Sequence, residues 1–207
     1  LTAGTRGSRP RLPDAARIVA LRSRALAALG AGGMLHVPLP RERVEADVKP
    51  YEGAVTVAAV NGPRSTVVAG PPRALETLAE SYQAEDVDAR RLPVNYASHS
   101  PSVEPLREEL LAALEDISPR TSDIPFYSTV TGERMDTSTL DADYWYRNLR
   151  QPVLFEPAVE SLLGGGHRVF LEVSPHSVLT PAIEQSGAED PSGQPVLAVG
   201  TLRRDHD

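Results

Sequence analysis

Residues 55–70 read VTVAAVNGPRSTVVAG, two valine-rich runs on either side of a short polar segment. Branched side chains such as valine are enriched in strands, because they pack well against their neighbours on a pleated surface. The segment between the two runs, residues 61–64, contains glycine and proline and is typical of a turn. The stretch therefore predicts a β-hairpin with strands at 55–60 and 65–70.

A strand and a helix are predicted on each side of this hairpin. MLHVPL at 34–39 predicts a strand, and RERVEADV at 41–48 predicts a short helix. After the hairpin, residues 71–84 place apolar side chains at helical spacing behind a proline pair, and DARRLPV at 88–94 predicts a last strand. The order βαββαβ is that of a ferredoxin-like split unit. We therefore predict a small subdomain over residues 34–95.

The segments around this subdomain also alternate between helix and strand. Before it, apolar residues recur at helical spacing from Ile18 to Leu29. After it, the apolar run RVFLEV at 168–173 is typical of a strand buried on both faces of a parallel sheet. The other predicted elements are helices at 103–117, 141–149, 155–166 and 177–187 and strands at 124–130 and 194–200. The alternation predicts an α/β fold, with residues 1–33 and 96–207 forming one core.

The composition excludes several classes of protein. The chain has 207 residues, a formal net charge of −7 and no clustered lysines and arginines, which argues against a nucleic-acid partner. It has no cysteine, which excludes disulfides, a thiolate nucleophile and sulfur-ligated zinc. The histidines show no metal-ligand spacing, and we expect no metal site. No apolar run is long enough to span a membrane, and residues 1–11 resemble no secretory signal, so a cytoplasmic protein is expected.

His99 is the first candidate for chemistry. It lies in NYASHS at 95–100, between a predicted strand and a predicted helix, which is a common place for functional groups in α/β proteins. An unperturbed histidine titrates near pH ~6.5 and can act as a general base around neutrality. The same residue could instead bond locally with Ser98 or Ser100. The pattern alone leaves both interpretations open.

Arg22 is the second candidate, because it lies on the apolar stripe of the first predicted helix. A buried guanidinium needs a partner, since an unpaired buried charge is very costly. The partner is either a carboxylate of the protein or the carboxylate of a ligand, which arginine's planar fork can bind through two hydrogen bonds. The pattern does not choose between these two.

Several segments resemble the acyltransferase domain of modular type I polyketide synthases, the malonyl- and methylmalonyl-CoA transacylase family. The resemblance runs from about Leu12 to Asp205 in the family's order. It rests on DAARIVALRSRAL, VAAVNGPRSTVVAG, RRLPVNYASHSP, PFYSTVTGE, YWYRNLRQPVLFEPAVE, VFLEVSPHSVLTPAI and VGTLRRD. The resemblance implies an α/β-hydrolase-like core, only partly contained in this chain, that carries a ferredoxin-like insert. It also implies that the last residues begin the linker that follows the domain.

The resemblance also implies an activity and its partners. Members of this family move an extender unit from acyl-CoA onto the phosphopantetheine thiol of an acyl carrier protein. A serine in a GHSxG motif attacks the thioester, and a histidine acts as general base and then as general acid. The implied partners are the acyl carrier protein and the neighbouring ketosynthase and linker regions. No bound cofactor is implied, and the substrates are methylmalonyl-CoA or malonyl-CoA.

Individual residues take their expected roles from the same resemblance. His99 matches the catalytic histidine, and Arg22 matches the arginine that binds the free carboxylate of the extender. The backbone carbonyl of Leu154 is expected to orient the histidine. Asn61, which the pattern alone places in a turn, matches a residue beside the acyl pocket.

The resemblance also predicts the extender unit, through residues 96–98. Tyr96-Ala97-Ser98-His99 is the form usual in methylmalonyl-selective domains, whereas malonyl-selective domains typically read HAFH. Small residues in place of phenylalanine leave room for the branching methyl group. One methyl group in an apolar pocket discriminates by only about 1–3 kcal/mol, so a malonyl-selective or promiscuous member is the close alternative.

The chain departs from the family in one respect, because no GHSxG motif occurs among its 207 residues. In the family this serine would lie just before Leu1, and residues 1–11 are expected to be irregular because of their glycines and Pro10. We therefore expect a fragment or truncated product that does not transfer acyl groups alone and that leaves apolar faces uncovered. The alternatives are a non-catalytic module that keeps the carrier-protein surface and an unrelated α/β hydrolase.

Overall fold

The structure is a computed structural model and describes residues 12–204. The predictions for residues 1–11 and for the end of the chain at 205–207 lie outside these residues. The α-helices are α1 Leu12–Ala27, α2 Arg41–Val48, α3 Pro72–Ala84, α4 Arg107–Ala113, α5 Ala142–Arg150, α6 Phe155–Gly164 and α7 Thr180–Glu189. The strands are β1 Gly33–Val37, β2 Thr56–Gly62, β3 Ser65–Gly70, β4 Arg90–Arg91, β5 Phe126–Ser128, β6 Glu133–Met135, β7 Val153–Leu154, β8 Val169–Glu172 and β9 Leu197–Gly200. The chain is therefore α/β, as predicted.

The predicted hairpin forms the centre of a five-stranded sheet with the order β4-β1-β3-β2-β7. β2 and β3 pair antiparallel, β1 pairs antiparallel with both β3 and β4, and β7 joins the other edge parallel to β2. The order β1-α2-β2-β3-α3-β4 is the predicted βαββαβ order. The addition of β7 was not predicted, and it connects the sheet to the later part of the chain.

Helices α2 and α3 supply the apolar side chains that cover this sheet. Leu75, Leu78 and Tyr82 recur on one face of α3 and are almost fully buried, together with Val44 of α2. Burial of each such side chain contributes roughly 1.5–3 kcal/mol. The Tyr82 hydroxyl donates a hydrogen bond of 3.0 Å to Asp47 at the end of α2, and the two helices are joined by this bond as well as by the core.

The predicted helix at 103–117 is broken in the structure. A 3₁₀ helix covers Pro101–Leu106, and α4 begins only at Arg107. Pro105 explains the break, because it has no backbone N–H and its ring disfavours the α conformation in the preceding residue. Ser100 caps the 3₁₀ helix, since its Oγ accepts a hydrogen bond of 3.2 Å from the N–H of Ser102.

Three strand predictions differ from the structure. The predicted strand at 88–94 is reduced to β4, because Pro93 cannot donate to the ladder. The predicted strand at 124–130 ends at Ser128 and pairs with β6, which was not predicted. The run RVFLEV was predicted to be buried on both faces, but β8 pairs only with β9 within residues 12–204, and Val169 is 71% exposed.

Within residues 12–204, none of the helices combines the length and the apolar character that crossing a membrane requires.

Candidate active site

His99 is held by the end of helix α5. The N–H of His99 donates to the carbonyl of Leu149 over 2.9 Å, and its ring Nδ1 lies 2.9 Å from the carbonyl of Gln151. The last carbonyls of a helix have no intrahelical partner, so both contacts also satisfy groups that the helix leaves free. A carbonyl only accepts, so Nδ1 carries the proton and Nε2 keeps its lone pair for chemistry.

The backbone of His99 is in the left-handed region, with φ of 57°. This conformation costs a residue other than glycine roughly 1–2 kcal/mol. The two hydrogen bonds to α5 and the bond from Ser100 Oγ to the Ala97 carbonyl, 2.7 Å long, hold the turn in place. Strain of this kind is often found where a side chain must point in a particular direction.

The carbonyl that contacts the His99 ring is not the one that was predicted. The resemblance assigned it to Leu154, three residues after Gln151. Leu154 belongs to β7 instead, where its N–H donates to the Thr129 carbonyl over 2.7 Å and its backbone pairs with Val60 of β2. Gln151 caps α5 outside this pairing, so its carbonyl is available to the imidazole.

The pKa of His99 lies below its ordinary value. Burial is the main cause, because it disfavours the charged imidazolium, and the positive charge of Arg22 acts in the same direction. The hydrogen bond to Gln151 opposes them and raises the pKa in part. His99 is therefore neutral around pH 7, which is the form that a general base requires.

Arg22 extends from α1 and has an unusual set of neighbours. Its Nε is buried and makes no hydrogen bond within residues 12–204, and none of the ion pairs in this part of the chain includes it. Its guanidinium carbon lies 6.0 Å from the centre of the Trp145 ring. Burial lowers the pKa of Arg22, and Tyr144 opposes this effect in part. The described residues thus supply no carboxylate for Arg22.

Residues 96–98 pack against the five-stranded sheet. Ala97 is 2% exposed and packs with β1, β2 and β3, and the Oγ of Ser98 lies 3.9 Å from the Sδ of Met34. Tyr96 is half-buried. Gly32, which the sequence analysis did not single out, permits this packing, because a Cβ there would lie 2.6 Å from the Ala97 nitrogen.

Asn61 lies near the end of β2. It precedes Gly62 at the end of β2, where a Cβ on Gly62 would approach Ala182 and Gln185 of α7 within 3.5 Å. No hydrogen bond recorded within residues 12–204 joins Asn61 to His99 or Arg22. In the same part of the chain, no group of three or more acidic or histidine side chains is arranged to hold a metal ion.

Known proteins that resemble this chain are polyketide synthases and acyltransferase domains. A family model described as "Acyl transferase domain" matches residues 10–207. Spectinabilin polyketide synthase system protein NorA of Streptomyces orinoci is 53% identical over 194 residues, which cover 93% of this chain and 10% of that protein. Erythronolide synthase EryA3 of Saccharopolyspora erythraea is 49% identical over 197 residues, which cover 94% of this chain and 6% of that protein.

A solved structure agrees with these matches. The acyltransferase domain from module 8 of the salinomycin polyketide synthase superposes with a TM-score of 0.92 and 48% identity, covering 96% of this chain and 47% of that chain. The chain belongs to the acyl transferase domain family, and its resemblance to polyketide synthase acyltransferases is confirmed. It spans about half the length of that solved domain and a tenth or less of the two synthases.

Proposed function

We propose that this chain is the C-terminal portion of a polyketide synthase acyltransferase domain, which loads an extender unit from acyl-CoA onto an acyl carrier protein. Residues 34–95 would be the ferredoxin-like subdomain inserted into an α/β-hydrolase-like core, of which 1–33 and 96–207 form part. The observation that carries this proposal is the arrangement of His99, with its Nδ1 on the Gln151 carbonyl and its Nε2 left free. The membership of the chain in the family supports it.

The proposed chemistry needs a nucleophile from residues outside this chain. A serine in a GHSxG motif would lose its proton to His99 Nε2 and attack the thioester, releasing the CoA thiol. The protonated His99 would give this proton to the departing CoA sulfur. In the second half of the reaction, His99 would accept the proton of the phosphopantetheine thiol and return it to the serine oxygen as the acyl group passes to the carrier protein. The 207-residue chain alone would not perform either step, since it contains no such motif.

We further propose that the extender is a carboxylated acyl unit and that methylmalonyl is preferred over malonyl. Arg22 supports the carboxylate, because its buried Nε has no protein partner among the described residues. Residues 96–98 support the preference, because Ser98 is small at the position where the malonyl-selective form carries phenylalanine and Tyr96 replaces its histidine. The partners would be the acyl carrier protein and adjacent synthase regions, in the cytoplasm, with no cofactor. Asn61 would lie beside the acyl pocket.

The proposal is tested by intact-protein mass spectrometry. A longer protein that carries the upstream GHSxG segment is mixed with equal concentrations of methylmalonyl-CoA and malonyl-CoA, beside the 207-residue chain and a His99→Ala variant. We expect a methylmalonyl adduct on the long protein only. The double variant Tyr96→His and Ser98→Phe should shift the adduct toward malonyl.

Three other outcomes would contradict parts of this proposal. An adduct on the 207-residue chain would show that the nucleophile lies within it. Predominance of malonyl on the unaltered long protein would favour the malonyl-selective alternative. Absence of any adduct on a folded long protein would favour a non-catalytic module.

A further inference from the structure

We propose that Trp145 is a positioning residue for Arg22, holding its guanidinium through the face of the indole ring so that the N–H donors stay free for a substrate carboxylate. This inference rests on the proposed function, since it concerns how the carboxylate site is prepared. It starts from the distance of 6.0 Å between the Arg22 guanidinium carbon and the centre of the Trp145 ring. The face of an indole ring is the best of the aromatic partners for a cation.

The Trp145 ring is itself fixed on several sides. It is 7% exposed, and its Nε1–H donates to the Leu140 carbonyl over 2.9 Å. The Tyr144 ring meets it edge to face, with centres 5.2 Å apart, and the Tyr144 hydroxyl lies 2.9 Å from Ser128 Oγ. Because these contacts fix the Trp145 ring, the ring face stays in place when the Arg22 side chain moves.

The same packing also fixes the helix that carries Arg22. Ile18 of α1 is fully buried in the cluster that contains Trp145 and Tyr144, and Leu21 packs against this cluster. Arg22 directly follows Leu21, so the start of its side chain is set by the cluster that also holds the indole. The start of the Arg22 side chain and the Trp145 ring are therefore both held in place before a substrate binds.

The chemistry of this support differs from that of an ion pair. A protein carboxylate beside Arg22 would occupy the donors that a ligand needs and would have to be displaced. An indole face attracts the positive charge and occupies no N–H group. The buried Nε, which has no partner within residues 12–204, is one donor kept available in this way. The substrate carboxylate would then be bound by a guanidinium group that is already in place.

The test uses methylmalonate as the probe and the Arg22 Nε–H resonance of the 207-residue chain as the readout. Trp145→Phe keeps a ring face, whereas Trp145→Leu removes it. Tyr146→Leu is the matched control, because Tyr146 is the next residue of α5, is 9% exposed, and supports Arg107 at 5.6 Å instead of Arg22. Arg22→Ala tests the carboxylate site itself.

We expect Trp145→Leu to weaken methylmalonate binding about tenfold and to move the unliganded Arg22 Nε–H resonance. Trp145→Phe and Tyr146→Leu should stay within about threefold of the unaltered chain. If Trp145→Leu changes neither quantity more than Tyr146→Leu does, the positioning role is overturned. If Arg22→Ala binds methylmalonate as well as the unaltered chain, or the unaltered chain does not bind it, the proposed carboxylate site fails instead. In that case, the unliganded Arg22 Nε–H resonance still tests whether Trp145 holds the Arg22 side chain.

Discussion

At the scale of single residues, His99 has a strained backbone and a ring in which Nδ1 already makes a hydrogen bond. Its N–H and its Nδ1 both bond to carbonyls at the end of α5. Burial and the Arg22 charge lower the pKa of the ring, so it is neutral near pH 7. The direction of the remaining nitrogen, Nε2, is therefore set by the protein.

We expect Arg22→Ala to raise the pKa of His99. Removing a positive neighbour stabilises the imidazolium, and the water admitted by the shorter side chain acts in the same direction. The pKa is read from an NMR titration of the His99 ring. Arg24→Ala is the control, because Arg24 is exposed on the same helix. An unchanged or lower pKa of His99 in Arg22→Ala would contradict the electrostatic link between these residues.

At the scale of elements, the sequence predicts local features better than long-range ones. Helices α2 and α3 were predicted to within a residue, since apolar spacing and the prolines at 71–72 are local signals. The pairing of β7 with β2 was not predicted, because two residues carry no recognisable strand pattern. The family resemblance assigned the ring contact to Leu154, whereas the His99 ring contacts the Gln151 carbonyl and the Leu154 backbone pairs with β2.

Glu156 on helix α6 has a strongly raised pKa. The pKa of Glu156 is raised to about 7, first by burial and then by Glu160 on α6, Glu189 on α7 and Glu42 on α2. Three carboxylates on these helices thus repel the charged form of Glu156. Glu156 takes up a proton on folding between about pH 4.5 and pH 7.

We expect Glu156→Gln to stabilise the chain at pH 8 and to have little effect at pH 5. A folded-state pKa above the unfolded value means that the stability present at low pH is lost as the pH rises through about 7. Because Glu156 is only half-buried, solvent screening limits the gain to about 1 kcal/mol. The free energy of unfolding is measured by urea at both pH values. Glu80→Gln, at an exposed position of α3, is the control. Equal gains at both pH values would contradict this account.

At the scale of the whole molecule, the candidate site is assembled from three distant segments. Arg22 comes from α1, His99 from the loop before the 3₁₀ helix, and Trp145 and Gln151 from α5 and its end. The sequence supplied His99 and Arg22 as candidates, but their roles came from the family resemblance. Trp145 carried no signal beyond that of a core aromatic residue, because only the tertiary fold places its ring under Arg22.

The sheet formed by β8 and β9 has two unlike faces. One face packs Phe170 and Ala198 against α6 and α7. The other presents Val169 and Leu171, which are 71% and 61% exposed, beside Leu197 and Val199 in the parallel register. A contiguous apolar face of this kind favours association of the chain in water.

We expect Leu171→Thr with Val199→Thr to reduce self-association and binding of a hydrophobic dye by the 207-residue chain. The free energy of unfolding should change by less than about 1 kcal/mol, because the two side chains are 61% and 41% exposed and lose little packing. Phe170→Thr, on the opposite face, should instead lose about 1–3 kcal/mol through lost packing without reducing association. Sedimentation velocity and urea unfolding measure the two quantities. Association of the double variant as strong as that of the unaltered chain would contradict this prediction, because the substitutions remove two of the four exposed apolar side chains that β8 and β9 contribute.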